Sequence, residues 1–249
     1  MQEEIKPAAL SCRIYPLGDG ALSIDWGNRI DEATNRQVLT LWDRLRRARL
    51  PGVSDFVPAY SSLTLLFDTN ELRRRFPTQS PYKKMQEMVE HVLADPLEIS
   101  TVLGRYINIP VCYDPAMAPD LPALATRSGL TVPDIIQLHT APEYRVFMLG
   151  FLPGFPYMGT VDERIAAPRL AQPRQRVHSG SVGIAGVQTG IYPLESPGGW
   201  NLIGRTPLRM FDAQRTEPTL LQPGDRVRFY AVSLENFYQI QSGACACAS

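Results

Sequence analysis

The feature that most constrains how this chain can fold is a glycine-rich segment between Gly150 and Pro207. Ten of the chain's eighteen glycines lie in it, and from Val177 to Gly204 the only fully charged side chain is Glu195. Glycine permits positive φ angles and close backbone approach, and each ordered glycine costs conformational entropy. The density therefore predicts many turns or a surface built from main chain. On composition alone, the corners of a β-barrel are a simpler interpretation than a binding site.

From Tyr144 onward the chain consists of short apolar segments separated by turn residues. Several short strands at close spacing predict a small closed barrel. A strand from Arg105 to Tyr113 and two short helices, over 120–128 and 131–140, precede these segments. The predicted strands are YRVFML, RVHSGSVGIA, VQTGIYPL, GWNLIG, TPLRMF and DRVRFYAV.

The first hundred residues alternate between strand and helix patterns. Leu22, Ile24 and Trp26 share one face of a strand, and Val38, Leu41, Trp42 and Leu45 follow helical spacing. The pattern predicts an α+β sandwich with helices on one face of a mostly antiparallel sheet. We therefore expect an α+β domain over 1–104, a barrel domain over 105–232 and a C-terminal tail over 233–249.

Charge and composition exclude several classes of function. Lys plus Arg and Asp plus Glu both total 25, so no net field attracts nucleic acid or an anionic membrane. The second of the two short helices has no lysine or arginine, which argues against a DNA-binding helix pair. No signal sequence or apolar run of membrane-spanning length is present, so we expect a cytoplasmic protein. We expect no metal site, and the Cys245/Cys247 pair is interpreted as part of a frayed tail.

Few residues could act in catalysis or in ligand binding, and each of them also has a simpler structural interpretation. His139 is interpreted as a histidine at a helix end, satisfied by backbone groups, and His178 lies at the mouth of the glycine-rich segment. The arginines of this region are either solvated loop residues or a clamp for a planar anion; they are Arg169, Arg174, Arg176 and Arg205. With neutral hydrogen-bonding groups around them, such a clamp suits a small amide, lactam or carbamate.

Four motifs carry a family resemblance: GFLPGFPYMG, PRLAQPR, GSVGIAGVQTGIYP and SPGGWNLIGRTP. With them the chain resembles the KipI/PxpB family, also called allophanate hydrolase subunit 1 or the C-D half of a carboxyltransferase domain, from about Ile14 to Tyr230. The resemblance implies a ferredoxin-like N-terminal domain followed by a cyclophilin-like barrel. Where family members often read VPAGSV, this chain has His178 and Ser179, so the local loop is open to question.

The resemblance also implies a function and a set of site residues. It implies a subunit of an ATP-dependent 5-oxoprolinase, inactive alone, which opens 5-oxo-L-proline to L-glutamate with PxpC-type (KipA-like) and PxpA-type partners. ATP is bound by the complex at a place that the sequence does not assign. We expect His139 to be an acid/base or orienting group, and Arg169 and Arg174 to contact an anion. The expected pocket lining and wall are Gly180, Ser181, Gln188, Thr189, Tyr157, Trp200 and Arg205.

Two other functions fit the same resemblance. A KipI-type inhibitor of a sensor histidine kinase would use the apolar surface around Phe151, Phe155 and Tyr157 to bind a protein. Half of a biotin-dependent carboxyltransferase acting on urea-like amides would need partners that supply the biotin carrier and the carboxylase.

Overall fold

The computed structural model describes residues 12–94 and 104–243. The chain divides into two compact units, Met1–Val102 and Leu103–Ser249. This division lies close to the boundary expected between residues 104 and 105. The Cys245/Cys247 pair lies outside the described residues.

The N-terminal unit is an antiparallel sheet with helices packed against one face. Its elements are β1 (Arg13–Pro16), β2 (Ala21–Asp25), α1 (Glu32–Ala48), β3 (Val53–Pro58), β4 (Ser62–Phe67), α2 (Thr69–Arg75) and α3 (Pro81–Ala94). The strand order is β1-β2-β4-β3, and Leu22, Ile24, Leu63 and Leu65 face the helices.

Local sequence signals set the ends of α1. The Asp31 side chain accepts a hydrogen bond from the Thr34 backbone N–H at 2.8 Å and caps the helix, which ends at Arg49 in the left-handed conformation. The apolar stripe Val38, Leu41 and Leu45 is buried, as the helical spacing predicts. The strand and helix pattern expected for this unit is confirmed, while its ferredoxin-like classification stays a prediction.

The C-terminal unit is a closed barrel of seven strands, which confirms the barrel prediction. The strand order is β10-β7-β6-β13-β5-β12-β9, and β5 and β13 are parallel. The barrel strands are β5 (Tyr106–Cys112), β6 (Tyr144–Leu149), β7 (Pro156–Gly159), β9 (Ser181–Ala185), β10 (Gln188–Ile191), β12 (Asn201–Arg205) and β13 (Arg226–Val232). Its cyclophilin-like classification stays a prediction.

Helices and a two-stranded ribbon surround the barrel. The helices are α4 (Leu121–Ser128), α5 (Val132–Thr140) and α6 (Leu234–Gln241), with a short 3-10 helix at Glu163–Ile165. The ribbon pairs β8 (Arg174–Val177) with β11 (Ser196–Gly198). The segment RVHSGSVGIA, expected to be one strand, is divided into β8 and β9 by a turn at Gly180. In TPLRMF, the described backbone forms only an isolated bridge, from Phe211 to Thr219.

The tail expected over 233–249 instead contains α6. Ser233 caps this helix by accepting from the Asn236 backbone N–H at 3.1 Å. Phe237 is buried, and α6 packs against β5. The side chain of Phe237 explains why this short polar segment is helical and packed against β5. Burial of its aromatic ring offsets the conformational entropy that is lost when the segment becomes ordered.

Among the described residues, no helix combines the length and apolar character needed to span a membrane.

Candidate functional site

The barrel separates the predicted site residues into three groups. His139 and Thr189 lie in the barrel interior, and both are fully buried. Tyr157 and Trp200 lie with Arg169 and Arg174 on the outer face of the barrel, near the β8–β11 ribbon. Gly180, Ser181 and Arg205 lie at the turn between β8 and β9, and Gln188 begins β10.

His139 belongs to a chain of hydrogen bonds inside the barrel. The Thr189 hydroxyl donates to the Gly183 carbonyl at 3.1 Å. It therefore accepts from Nε2–H of His139 at 3.0 Å, which leaves Nδ1 to accept from the Tyr113 hydroxyl at 2.8 Å. The imidazole also stacks on Phe229, with 4.6 Å between ring centroids. These contacts fix one neutral tautomer in one orientation.

The surroundings of His139 argue against the expected acid/base role. Burial lowers the pKa of the imidazole from 6.5 to about 3. A general base is most effective when its pKa is near the working pH, and it has to reach the reacting atom. His139 meets neither condition, because it is fully buried and both ring nitrogens are bonded. The contacts give His139 a structural role, because it joins α5 to β10 through Thr189, and a role in orienting the substrate stays a prediction.

The outer face carries an aromatic cluster, which we call the outer aromatic cluster: Phe155, Tyr157, Tyr192 and Trp200. Phe155 lies at its centre, 4.9 to 5.3 Å between ring centroids from each of the other three. Trp200 is 5% exposed and Tyr192 1%, while Tyr157 is partly open to solvent. Edge-to-face ring pairs of this kind stabilise a fixed arrangement beyond simple area burial.

The glycines of the central segment make room for these rings. Along β9, Val182 and Ile184 point into the barrel, so Gly183 faces outward. A Cβ atom on Gly190 would lie 2.8 Å from the Phe155 ring, and one on Gly198 would overlap the Tyr192 hydroxyl. The glycine density thus reflects aromatic rings lying directly on main chain, in addition to the expected turns.

The charges of two arginines act on the buried Tyr192 hydroxyl. Burial raises the pKa of Tyr192, and the Trp200 backbone N–H and the charges of Arg169 and Arg174 offset part of that increase. Arg169 likewise opposes the pKa increase that burial causes at Tyr157. Both guanidinium groups therefore act on the outer aromatic cluster. We call Tyr157, Tyr192, Trp200, Arg169 and Arg174 the tyrosine–arginine site.

The two arginines differ in how they are held. Arg174 pairs through Nη2 with Asp120, whose other carboxylate oxygen accepts from the Leu202 backbone N–H at 2.6 Å. Its Nη1 is buried and makes no hydrogen bond with any other described residue. Arg169 is exposed and makes neither a hydrogen bond nor an ion pair within the described part of the chain. A buried donor without a partner costs about 1–3 kcal/mol, so an acceptor from a ligand would relieve it.

The loop that carries Arg169 is fixed by hydrogen bonds to its main chain. The Asn201 side chain donates to the Pro168 carbonyl at 2.8 Å and to the Ile184 carbonyl at 3.1 Å. The Leu170 backbone N–H donates to the Gly199 carbonyl at 2.7 Å. The loop therefore follows the β11–β12 turn, which presents Arg169 beside the aromatic cluster.

The remaining predicted residues lie elsewhere and have structural partners. Gly180 donates from its backbone N–H to the Tyr192 carbonyl at 2.7 Å and accepts from the Thr206 backbone N–H at 2.9 Å. The Arg205 Nε donates to the Ser179 carbonyl at 2.8 Å, and its guanidinium lies over the Phe237 ring. Arg205 is therefore directed away from the tyrosine–arginine site, and Gly180 contacts only the main chain of Tyr192. His178 lies exposed beside Glu195, with 3.5 Å between Nδ1 and the carboxylate.

Sequence reasoning did not identify Asp120 and Asn201 as parts of this region. Asp120 was interpreted only as a helix start, and it is 54 positions away from Arg174 in the chain. Asn201 stands inside an apolar strand, GWNLIG. A single polar residue in a buried strand is the one signal that could have indicated it, because a buried amide requires hydrogen-bond partners.

A cavity of about 420 Å³ lies in the N-terminal unit, between the end of α1 and the edge strand β3. Arg46, Arg49 and Asp55 line it together with apolar side chains. None of the predicted site residues belongs to it.

Comparison with known proteins connects the fold to a family. Residues 12–221 match the family described as "Carboxyltransferase domain, subdomain C and D". A protein of Bacillus subtilis (strain 168) that is named as a subunit of 5-oxoprolinase is 42% identical over 228 residues, which are 91% of this chain and 95% of that protein.

Solved structures show the same relationship. TTHA0988 is 41% identical with a TM-score of 0.74, and the match covers 86% of this chain but only 40% of that one. The K. lactis urea amidolyase is 19% identical with a TM-score of 0.71, over 97% of this chain and 16% of that one, and so shares the fold. This chain belongs to the carboxyltransferase subdomain C and D family, as its glycine-rich motifs indicate.

Proposed function

We propose that this chain is a subunit of an ATP-dependent 5-oxoprolinase and that the tyrosine–arginine site binds the lactam. The observation that carries the proposal is the 42% identity, over 91% of the chain, to a protein named as a 5-oxoprolinase subunit. That name implies other subunits, and we expect them to be of the PxpC (KipA-like) and PxpA types.

The chemistry of the site supports this substrate class. 5-Oxo-L-proline has a small ring with a neutral amide and one carboxylate. A guanidinium group binds a carboxylate in a planar, charge-assisted manner, and Arg169 and the free Nη1 of Arg174 both offer N–H donors. The apolar bodies of Tyr157 and Trp200 suit the ring. The site would hold and orient the substrate, which lowers the entropic part of the barrier to ring opening.

The same residues do not fit a nucleotide. A triphosphate needs a glycine-rich loop with a lysine, or several cationic groups, and the only lysines of the chain are Lys6, Lys83 and Lys84. The tyrosine–arginine site offers two arginines, one of them already paired with Asp120. ATP would activate the lactam carbonyl oxygen in the complex, and we assign its binding to another subunit.

A reconstituted assay tests the proposal. The chain is purified and mixed with its two partner subunits, and glutamate release from 5-oxo-L-proline is measured with and without ATP and with each subunit omitted. We expect release only when all three subunits and ATP are present.

Three results would reject the proposal. Absence of glutamate from an assembled complex would do so directly. Inhibition of a sensor histidine kinase by the chain alone would indicate a regulator. Biotin-dependent carboxylation of urea would indicate a carboxyltransferase, a function for which the shared fold of the K. lactis urea amidolyase gives no specific support at 19% identity.

A further inference from the structure

Phe151 combines two unfavourable features in one residue. Its backbone has φ of 65°, and its side chain is 62% exposed. A bulky residue with positive φ is an outlier whose strain costs about 1–3 kcal/mol. Arg49 is the other described residue besides glycine with positive φ, but it closes α1, where this conformation is common.

Three main-chain hydrogen bonds hold Phe151 in place. The Leu152 backbone N–H donates to the Gly150 carbonyl at 2.7 Å, which makes Phe151 the centre of a γ-turn. The Phe155 N–H donates to the Leu152 carbonyl at 3.0 Å, and the Gly150 N–H donates to the Phe155 carbonyl at 3.2 Å. The loop is closed on itself, so the backbone that carries the exposed ring is fixed without a ligand.

The ring of Phe151 extends the outer aromatic cluster toward solvent. It meets Phe155 and Tyr192 edge to face, with 5.7 and 6.4 Å between ring centroids and interplanar angles of 88° in both pairs. Tyr192 is the residue on which the charges of Arg169 and Arg174 act. The exposed ring therefore contacts the same aromatic cluster on which both guanidinium charges act.

Packing accounts for only part of the preference for phenylalanine at this position, because its contacts with Phe155 and Tyr192 leave most of the ring exposed. Glycine would adopt the same φ without strain. A ring that is 62% exposed contributes little burial to offset the strain. Strained residues persist where the surrounding structure holds them for a purpose, and a fixed aromatic face beside cations suits a ligand with a flat body and an anionic group.

We infer that Phe151 contacts the substrate of the tyrosine–arginine site, with the ring of the lactam against the exposed Phe151 side chain and its carboxylate toward Arg169 and Arg174. This inference rests on the proposed function. It makes Phe151 a residue that sets substrate affinity and preference for a ring-shaped substrate.

The test uses the three-subunit complex and two variants of the same residue. Phe151→Gly removes the ring and relieves the strain, and Phe151→Tyr keeps the ring. We expect Phe151→Gly to raise KM for 5-oxo-L-proline about ten-fold, since a lost aromatic contact corresponds to about that factor in affinity. Its melting temperature should change little, because the relief of backbone strain offsets the two lost ring contacts. Phe151→Tyr should stay within about two-fold of the wild-type KM.

A matched control and three contrary outcomes complete the experiment. Tyr106→Ala removes another highly exposed aromatic ring, on β5 and apart from the site, and should leave KM unchanged. An active complex in which Phe151→Gly has the wild-type KM overturns this inference and leaves the proposed function standing. A Phe151→Gly chain that no longer assembles with its partners in size-exclusion chromatography shows an interface residue and also overturns it. A wild-type complex without glutamate release rejects the proposed function itself, and this inference with it.

Discussion

Inside the barrel, both ring nitrogens of His139 have hydrogen-bond partners. On the outer face, the buried Nη1 of Arg174 has no hydrogen-bond partner among the described residues. The interior chain from Tyr113 through His139 and Thr189 is closed and neutral. The outer tyrosine–arginine site is cationic and has an exposed ring and an exposed guanidinium at its edge. Satisfied buried polar groups stabilise a fold, while unsatisfied ones at a surface indicate a place for a ligand. Most of the predicted site residues are found in one of these two regions, and the difference separates structural residues from binding residues.

The largest expected effect tests the interior. His139→Leu removes the acceptor of the buried Tyr113 hydroxyl and the donor to Thr189. We expect the free energy of unfolding to fall by about 3 kcal/mol, because buried polar groups lose their partners. Urea denaturation of the isolated chain measures this change. If the variant keeps its stability while the complex loses turnover, His139 takes part in the reaction. The contrast between a structural interior and a binding outer face would then be wrong.

The pH dependence of stability tests the same region with a smaller effect. The folded-state pKa of His139 is about 3 and its ordinary value is 6.5, so below pH 6.5 the unfolded chain binds the extra proton. Stability from this group is complete above pH 6.5 and is lost as the pH falls, by about 2 kcal/mol between pH 7 and pH 5.

Urea denaturation at both pH values measures this loss, with two variants for comparison. His139→Gln should flatten the dependence, and His91→Gln, at an exposed position of α3, should leave it unchanged. Equal dependence in all three proteins would contradict the assignment to His139.

A third prediction concerns the support of the outer aromatic cluster. Gly198→Ala places a Cβ atom against the Tyr192 hydroxyl, closer than two unbonded atoms can approach, and that hydroxyl is held by the Trp200 backbone N–H. We expect a loss of about 1–2 kcal/mol as the ring is displaced, since overpacking is destabilising. Gly199→Ala is the matched control, because its Cβ would meet Pro173 at an ordinary 3.6 Å. Thermal unfolding of the two variants compares them, and equal melting temperatures would contradict the close packing of Gly198 on Tyr192.

The smallest expected change in stability belongs to the residue expected to matter most for binding. Arg169→Ala should alter the free energy of unfolding by less than about 0.5 kcal/mol, because the side chain is exposed and unpaired within the described residues. It should nevertheless raise KM for the lactam in the assembled complex. Arg174→Ala should raise KM and also destabilise, since it leaves the carboxylate of Asp120 without its ion pair. Steady-state kinetics and melting temperatures of both variants test this, and a stability loss at Arg169 would show that it is a loop anchor.

The sequence predicted the elements well where the signal was local. The apolar stripe of α1 is present as expected, and the helix predicted over 131–140 begins with a capping box of Thr131 and Asp134, because both signals depend on neighbouring residues. The predictions failed where distant contacts decide. TPLRMF has the composition of a strand but makes only an isolated bridge, and the segment after residue 232 becomes helical because Phe237 is buried.

The sequence by itself determined the family, the barrel and the neutral, lysine-free character of the glycine-rich segment with arginines at its edges, since motifs, strand spacing and composition are local properties. Only the tertiary structure decided that His139 and Thr189 face the interior while Tyr157 and Trp200 gather outside with the two arginines. Which side of a closed barrel a residue faces depends on strand register, and register follows from contacts between segments far apart in the chain. For the same reason, only the tertiary structure shows that Gly190 and Gly198 lie against the rings of Phe155 and Tyr192.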